Sequence, residues 1–166
     1  MFSQAIISDK EYVETTKLTK ITNVSQLKAG LQFILTYTDG SNVTNAMGEN
    51  TGKIQSIVPI TIANNAAEIE STVQVVTLEK VGEYWALNLG NGKYLNYSGS
   101  GNDVYATQKT VTTSDAGYLW TITVDGEEML IKNVGAADRI LQYNPSNPRF
   151  SCYAGTQKNP TAYLIG

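Results

Sequence analysis

Apolar and polar residues alternate over short stretches along most of this chain, and each stretch stops at a turn signal. Tyr84 to Leu89 alternates into Gly90-Asn91-Gly92, and Lys93 to Tyr97 resumes beyond it. A period of two broken by Gly and Asn predicts a β-hairpin. Ser98-Gly99-Ser100-Gly101-Asn102 predicts the next turn, Val104 to Thr107 a third strand, and Tyr118 to Val124 a fourth that ends at Asp125-Gly126. The same order then returns as Met129 to Asn133, Ile140 to Tyr143, a turn at Asn144-Pro145-Ser146-Asn147-Pro148, Phe150 to Tyr153, and Ala162 to Ile165.

The return holds residue by residue. Lys93-Tyr94-Leu95-Asn96-Tyr97 is matched 46 positions later by Arg139-Ile140-Leu141-Gln142-Tyr143, and at the same offset Val104 falls on Phe150 and Ala106 on Cys152. Upstream, at an offset of 44, Val76, Leu78, Gly82, Trp85 and Leu87 fall on Trp120, Ile122, Gly126, Met129 and Ile131, and Leu164 stands 44 positions after Trp120. A repeat of this length describes one supersecondary unit that cannot bury its apolar face alone.

A more diverged first copy runs through Gln32 to Tyr37, a turn at Asp39-Gly40, Val43 to Met47, Ile54 to Ile62 and Thr72 to Leu78, with extra length at Ala63 to Ala67 read as a loop insertion. Three copies of four strands predict an all-β, β-trefoil-like domain with three repeats of about 44 residues, closed so that no edges are left open. A Greek-key β-sandwich is the alternative, because many short strands with regular turns produce the same pattern. Trp85, Leu87, Leu95, Trp120, Ile122, Ile131, Leu141 and Leu164 are the expected core.

The expected organisation is an N-terminal arm over residues 1–22, either an edge strand or a tether, followed by a single repeat domain over 23–166. Asn23 to Gly30 reads as one helical turn, with Ser25 as N-cap and Gly30 as its stop.

Composition narrows the function classes. Only 16% of residues are charged, the net charge is −3 and the pI is near 4.9. Nucleic-acid binding depends on neutralising phosphates, so no nucleic-acid partner is expected. No apolar run reaches the ~20 residues that span a bilayer, so no membrane insertion is expected. The opening residues lack the basic n-region of a signal peptide, which leaves an extracellular or cell-surface location if a leader has been removed, or a virion surface as the alternative. A lone cysteine, Cys152, excludes an internal disulfide and reads as a small core residue.

The chain has no histidine, which removes imidazole bases, His triads and His metal sites. No cofactor, metal site or catalytic residue is expected. Carboxylates remain, chiefly Asp125, Glu127 and Glu128, but neighbours on a strand point to opposite faces and these stand at a turn. The richer signal is aromatic and amide. Tyr97, Asn102, Tyr105, Tyr143, Asn144, Arg149 and Tyr153 cluster around the two best-matched turns. Rings can stack on the apolar faces of sugars while amides and charges take the hydroxyls, so these seven are the candidate ligand-binding residues, with contact expected over 97–105 and 143–153.

Ile21-Thr22-Asn23-Val24-Ser25-Gln26-Leu27-Lys28-Ala29-Gly30, Ala46-Met47-Gly48, Leu78-Glu79-Lys80, Gly92-Lys93-Tyr94-Leu95 and above all Ile140-Leu141-Gln142-Tyr143-Asn144 through Pro148-Arg149-Phe150 to Tyr153 resemble a β-domain that recurs in surface lipoproteins and secreted multidomain proteins of gut-dwelling bacteria. The resemblance covers Lys20 to Ile165 and implies an accessory binding or adhesion module. The Gln-x-Trp repeat of ricin-type sugar-binding trefoils is absent, Tyr118-Leu119-Trp120-Thr121-Ile122 standing at the equivalent strand. The expected function is therefore a non-catalytic binding or adhesion module that recognises carbohydrate on exposed turns. The alternative is a structural or decoration protein of a phage virion, with a protein partner docked through the arm.

Overall fold

A computed structural model describes residues 14–166. Its strands are β1 (Thr16–Lys20), β2 (Gln32–Thr38), β3 (Thr44–Asn50), β4 (Gln55–Pro59), β5 (Ala66–Ala67), β6 (Val76–Val81) and β7 (Tyr84–Gly90), then β8 (Lys93–Tyr97), β9 (Val104–Gln108), β10 (Trp120–Asp125), β11 (Glu128–Asn133), β12 (Ile140–Asn144), β13 (Arg149–Tyr153) and β14 (Thr161–Ile165). All their pairings are antiparallel, and helix is confined to two 3-10 turns, Val24–Gln26 and Ala116–Tyr118. The all-β expectation is met.

Pairing register fixes which side chains meet in the core. β6 pairs with β7 so that Leu78 faces Leu87, β10 with β11 so that Ile122 faces Ile131, and β14 with β2 so that Ala162 faces Leu35. A second set joins Phe33 to Val76 and Trp85 to Trp120, while the Met129 N–H donates to the Pro160 carbonyl at 2.8 Å. By this register Pro160, and not Leu164, takes the place of Trp120. Leu164 is only half-buried, and so is Trp85, whose ring carries the Lys80 ammonium 4.2 Å from its centroid. The other six residues expected in the core are buried, Trp120 and Leu95 completely.

β2 breaks the alternation that the sequence led one to expect. Phe33, Ile34, Leu35 and Thr36 are all buried, because a second apolar cluster covers the outer face. Leu18 on β1, Val58, Ile60, Ala67 and Val73 supply that cover around Ile34. β1 reaches it by pairing with β14, Leu18 opposite Ile165, and with β5, Lys17 opposite Ala66. Residues 16–20 therefore form a strand, while residues 1–13 of the expected arm lie outside the described residues. The expected loop insertion is itself a hairpin tip: Asn64 and Asn65 hold φ of 53° and 58°, the left-handed pair that a two-residue turn requires, and Ala63 bridges Ala66.

The expected helical turn exists, with a different cap. The Asn23 side chain accepts from Ser25 N–H, and Gln26 reaches back to the Asn23 N–H, so Asn23 rather than Ser25 closes the capping box.

Candidate functional site

The seven residues singled out from sequence are divided by the fold into tasks that are mostly internal. Tyr97, Tyr143 and Tyr153 are at most 9% exposed. The Tyr97 hydroxyl donates to the Gly101 carbonyl at 2.7 Å, and the Arg139 guanidinium lies over its ring. Asn102 is exposed, but its side-chain oxygen accepts from Arg139 at 2.7 Å and its carbonyl accepts from Ser151 Oγ and Cys152 N–H, tying the 98–103 turn to β13. Asn144 donates to the Tyr153 hydroxyl at 3.3 Å and caps the following turn by accepting from Ser146 and Asn147 N–H. Tyr105 is half-buried, as is Arg149, whose Nε is buried without a partner among the described residues. A buried ring has no free face to offer a sugar, so three of the four tyrosines position other groups.

What Tyr143 positions is a hollow that carries aromatic rings beside charged and amide groups. Its ring stacks on Tyr37 at 4.9 Å with 19° between planes, and its hydroxyl accepts from Asn45 at 3.0 Å. Tyr37, half-buried at the end of β2, lines a groove of about 590 Å³ together with Tyr163, Lys20, Glu127, Glu128, Lys158, Asn159 and two threonines. Among the described residues, three other hollows carry no aromatic ring: one is lined by Val43, Pro59, Glu68 and Glu70, and two adjoining ones by Glu49, Gln74 and Leu89.

Buried polar contacts hold the groove wall. Gln142, 2% exposed, accepts from the Gln157 N–H and donates to Asn159 Oδ1 at 2.8 Å. Asn159 in turn donates to Glu128 Oε1 at 3.1 Å. Tyr143 and Lys158 exchange both backbone hydrogen bonds, at 2.7 and 3.0 Å. On the opposite wall the Lys20 ammonium donates to Glu127 Oε1 at 2.8 Å and sits 5.8 Å from the Tyr163 ring centroid. That hydrogen bond holds the Lys20 pKa above its ordinary 10.5. Both groups remain partly in water, so the pair adds little stability by itself.

Glu127 and Glu128 stand at the turn expected for them, exposed, but they do not point to opposite faces. Asp125 pairs with Glu128, which leaves Gly126 and Glu127 as a two-residue turn; Glu127 is therefore off the strand and both carboxylates line the groove. Sequence reasoning missed Tyr37, Tyr163 and Lys158 because β2 and β14 meet through a long-range pairing and the 157–159 segment is placed by its bridge to Tyr143. A usable signal existed only at Tyr37-Thr38, a ring beside a polar residue where β2 meets its loop; Tyr163, between Ala162 and Leu164 in the middle of β14, carried none.

Cys152 is fully buried, and burial pushes its thiol up to about 12, as expected of a core residue. Among the described residues no group of His, Cys, Asp and Glu could hold a metal ion, and no helix is long and apolar enough to cross a membrane.

No family model matches the chain, and no curated protein matches it. Among solved structures it is similar to a GlcNAcα1-4Gal-releasing endo-β-galactosidase from Clostridium perfringens, with a TM-score of 0.58 and 18% identity over 86% of this chain. The match takes in 34% of that protein, so the chain spans about a third of its length. At this identity the likeness is one of β-rich fold. A lysenin pore also matches, with a TM-score of 0.48 and 11% identity over 84% of this chain and 49% of that one.

Proposed function

We propose that this domain is a non-catalytic carbohydrate-binding module whose glycan lies in the Tyr37–Tyr163 groove. The observation that carries the reading is the combination, in one hollow, of two half-exposed rings with carboxylate, ammonium and amide groups held by Lys20, Asn159 and the buried Gln142. Rings cover the apolar face of a sugar while fixed polar groups take its hydroxyls. The non-catalytic part rests on the carboxylates: Glu127 is clasped by Lys20 and Glu128 Oε1 accepts from Asn159, so among the described residues no pair of unengaged carboxyls faces the groove.

In the same proposal the fold is a β-trefoil of three repeats. Support comes from the matched pairs Leu78–Leu87, Ile122–Ile131 and Ala162–Leu35, joined by Phe33–Val76, Trp85–Trp120 and Met129–Pro160 into a six-strand circuit. The sequence resemblance to the accessory domain of gut bacteria, and the carbohydrate chemistry of the endo-galactosidase that shares the β-rich fold, point the same way. A cell-surface or extracellular setting is where such a module would meet its glycan.

The test is a glycan array followed by calorimetry. Wild type is expected to bind, and Tyr37→Ala to weaken binding at least about ten-fold, equivalent to about 1.4 kcal/mol. Failure of wild type to bind any host or bacterial glycan would overturn the reading and turn attention to the virion decoration alternative, tested by co-sedimentation with particles.

A further inference from the structure

Resting on the groove reading above, we infer that the ligand is a neutral saccharide, gripped through adjacent hydroxyls by Glu128 as acceptor and Lys158 as donor. The groove's formal charges cancel, because Lys20 and Lys158 stand against Glu127 and Glu128. Lys20 and Glu127 already satisfy each other at 2.8 Å. Among the described residues neither Glu128 nor Lys158 lies in a salt bridge, and both line the groove, so each keeps hydrogen-bonding capacity for a ligand.

Glu128 is held ready for that role. Oε1 accepts from Asn159, whose amide is oriented by its own bond to the buried Gln142, and Oε2 has no protein partner among the described residues. Lys158 is anchored through its backbone to Tyr143, the residue on which Tyr37 stacks, so the base of the lysine side chain and the ring share one support. A carboxylate accepts from a hydroxyl and an ammonium donates to one, and hydrogen bonds to charged groups are roughly twice as strong as neutral ones. A diol satisfies both at once. An anionic sugar would gain Lys158 but meet Glu128 with nothing to neutralise it, and a cationic sugar would gain Glu128 but meet Lys158, so neither charge finds a net attraction.

The discriminating experiment measures affinity for a panel of neutral oligosaccharides beside their sialylated, sulfated and uronic-acid counterparts, at about 50 and about 500 mM salt. Neutral ligands should win, with affinity changing less than about two-fold between the two salts, since no net charge is neutralised on binding. Glu128→Gln and Lys158→Met should each lower affinity about ten-fold with an unchanged melting temperature, because both side chains are exposed. Preference for anionic glycans, with affinity falling steeply in salt and lost in Lys158→Met alone, would overturn this inference and leave the carbohydrate reading standing. Neutral binding indifferent to both substitutions would also overturn it. Absence of binding to every glycan would overturn the carbohydrate reading itself.

Discussion

Replacing Trp120 with alanine removes the largest fully buried side chain. Trp120 stands opposite Trp85 in the β7–β10 register, and its indole N–H donates to the Leu95 carbonyl at 3.2 Å. An indole takes about 200 Å² out of water, worth about 5 kcal/mol at about 25 cal/mol per Å². Surface already hidden in the unfolded chain lowers this to about 3.5 kcal/mol. Leaving the Leu95 carbonyl without its indole donor adds about 1 kcal/mol. The resulting loss of about 4.5 kcal/mol agrees with the range for aromatic-to-alanine changes in cores, and is a third or more of the stability of an ordinary domain. Urea unfolding followed by far-UV circular dichroism measures it as a lowered midpoint at constant slope. Trp120→Phe, which keeps most of the apolar volume and loses only the N–H and part of the ring, should cost about 2 kcal/mol. A loss below about 1.5 kcal/mol for the alanine variant at unchanged slope would refute the reasoning. Equal losses for Phe and Ala would refute the division between burial and hydrogen bond.

Leu18→Ala should cost about 2–5 kcal/mol, because Leu18 is 1% exposed in the outer cluster; a melting temperature unchanged within about 2 °C would show that β1 adds nothing to the core. Tyr143→Phe keeps the stack on Tyr37 and removes the acceptor for Asn45, so thermal melting should report a loss of about 1 kcal/mol with ring order in the groove retained. Alkaline stability should fall above pH ~10. Burial and the hydrogen bond to Glu79 raise the Tyr94 pKa, and the Glu127 bond raises that of Lys20, so both contributions are complete below the unfolded-state values and disappear as pH climbs through the folded ones. Melting curves between about pH 8 and 11.5 check this, and Glu127→Gln should flatten part of the decline. Cys152, its thiol pushed up to about 12 inside the core, should be silent to a thiol reagent in the native protein and fully reactive in denaturant.

Local pairing was legible wherever a strand finds its partner across a short turn. Lys93–Tyr97 is β8 to the residue, and Gly90, Asn91 and Gly92 all take positive φ, as a turn written in Gly and Asn should. The first copy was harder to read. Ile54 to Ile62 looked like one long apolar strand, yet β4 stops at Pro59 and Ile60 turns into the outer cluster. An apolar run reports burial without saying which of two cores receives it. The groove was less legible still. Tyr97 and Tyr143 share a repeat position and look alike in sequence, but the first is closed off by Gly101 and Arg139, whereas the second serves as the floor under Tyr37. The β14–β2 and β1–β14 pairings bring Tyr163 beside Ile34 and Lys20, more than a hundred positions earlier, and the Tyr143–Lys158 bridge draws the neighbouring segment to the same groove.

The pairing of β1 and β2 with β14 also sets a timetable for synthesis. Thr36 bonds to the Thr161 carbonyl across 125 residues, and Leu18 meets Ile165. On a ribosome adding about 5–20 residues per second, the early strands spend on the order of ten seconds with apolar faces and open edges before their partner exists. Contacts this distant in sequence also slow folding once the chain is complete. A nascent chain stalled before residue 161 should therefore be rich in chaperone contacts and sensitive to protease throughout residues 16–38, and release of the last strand should protect both segments together.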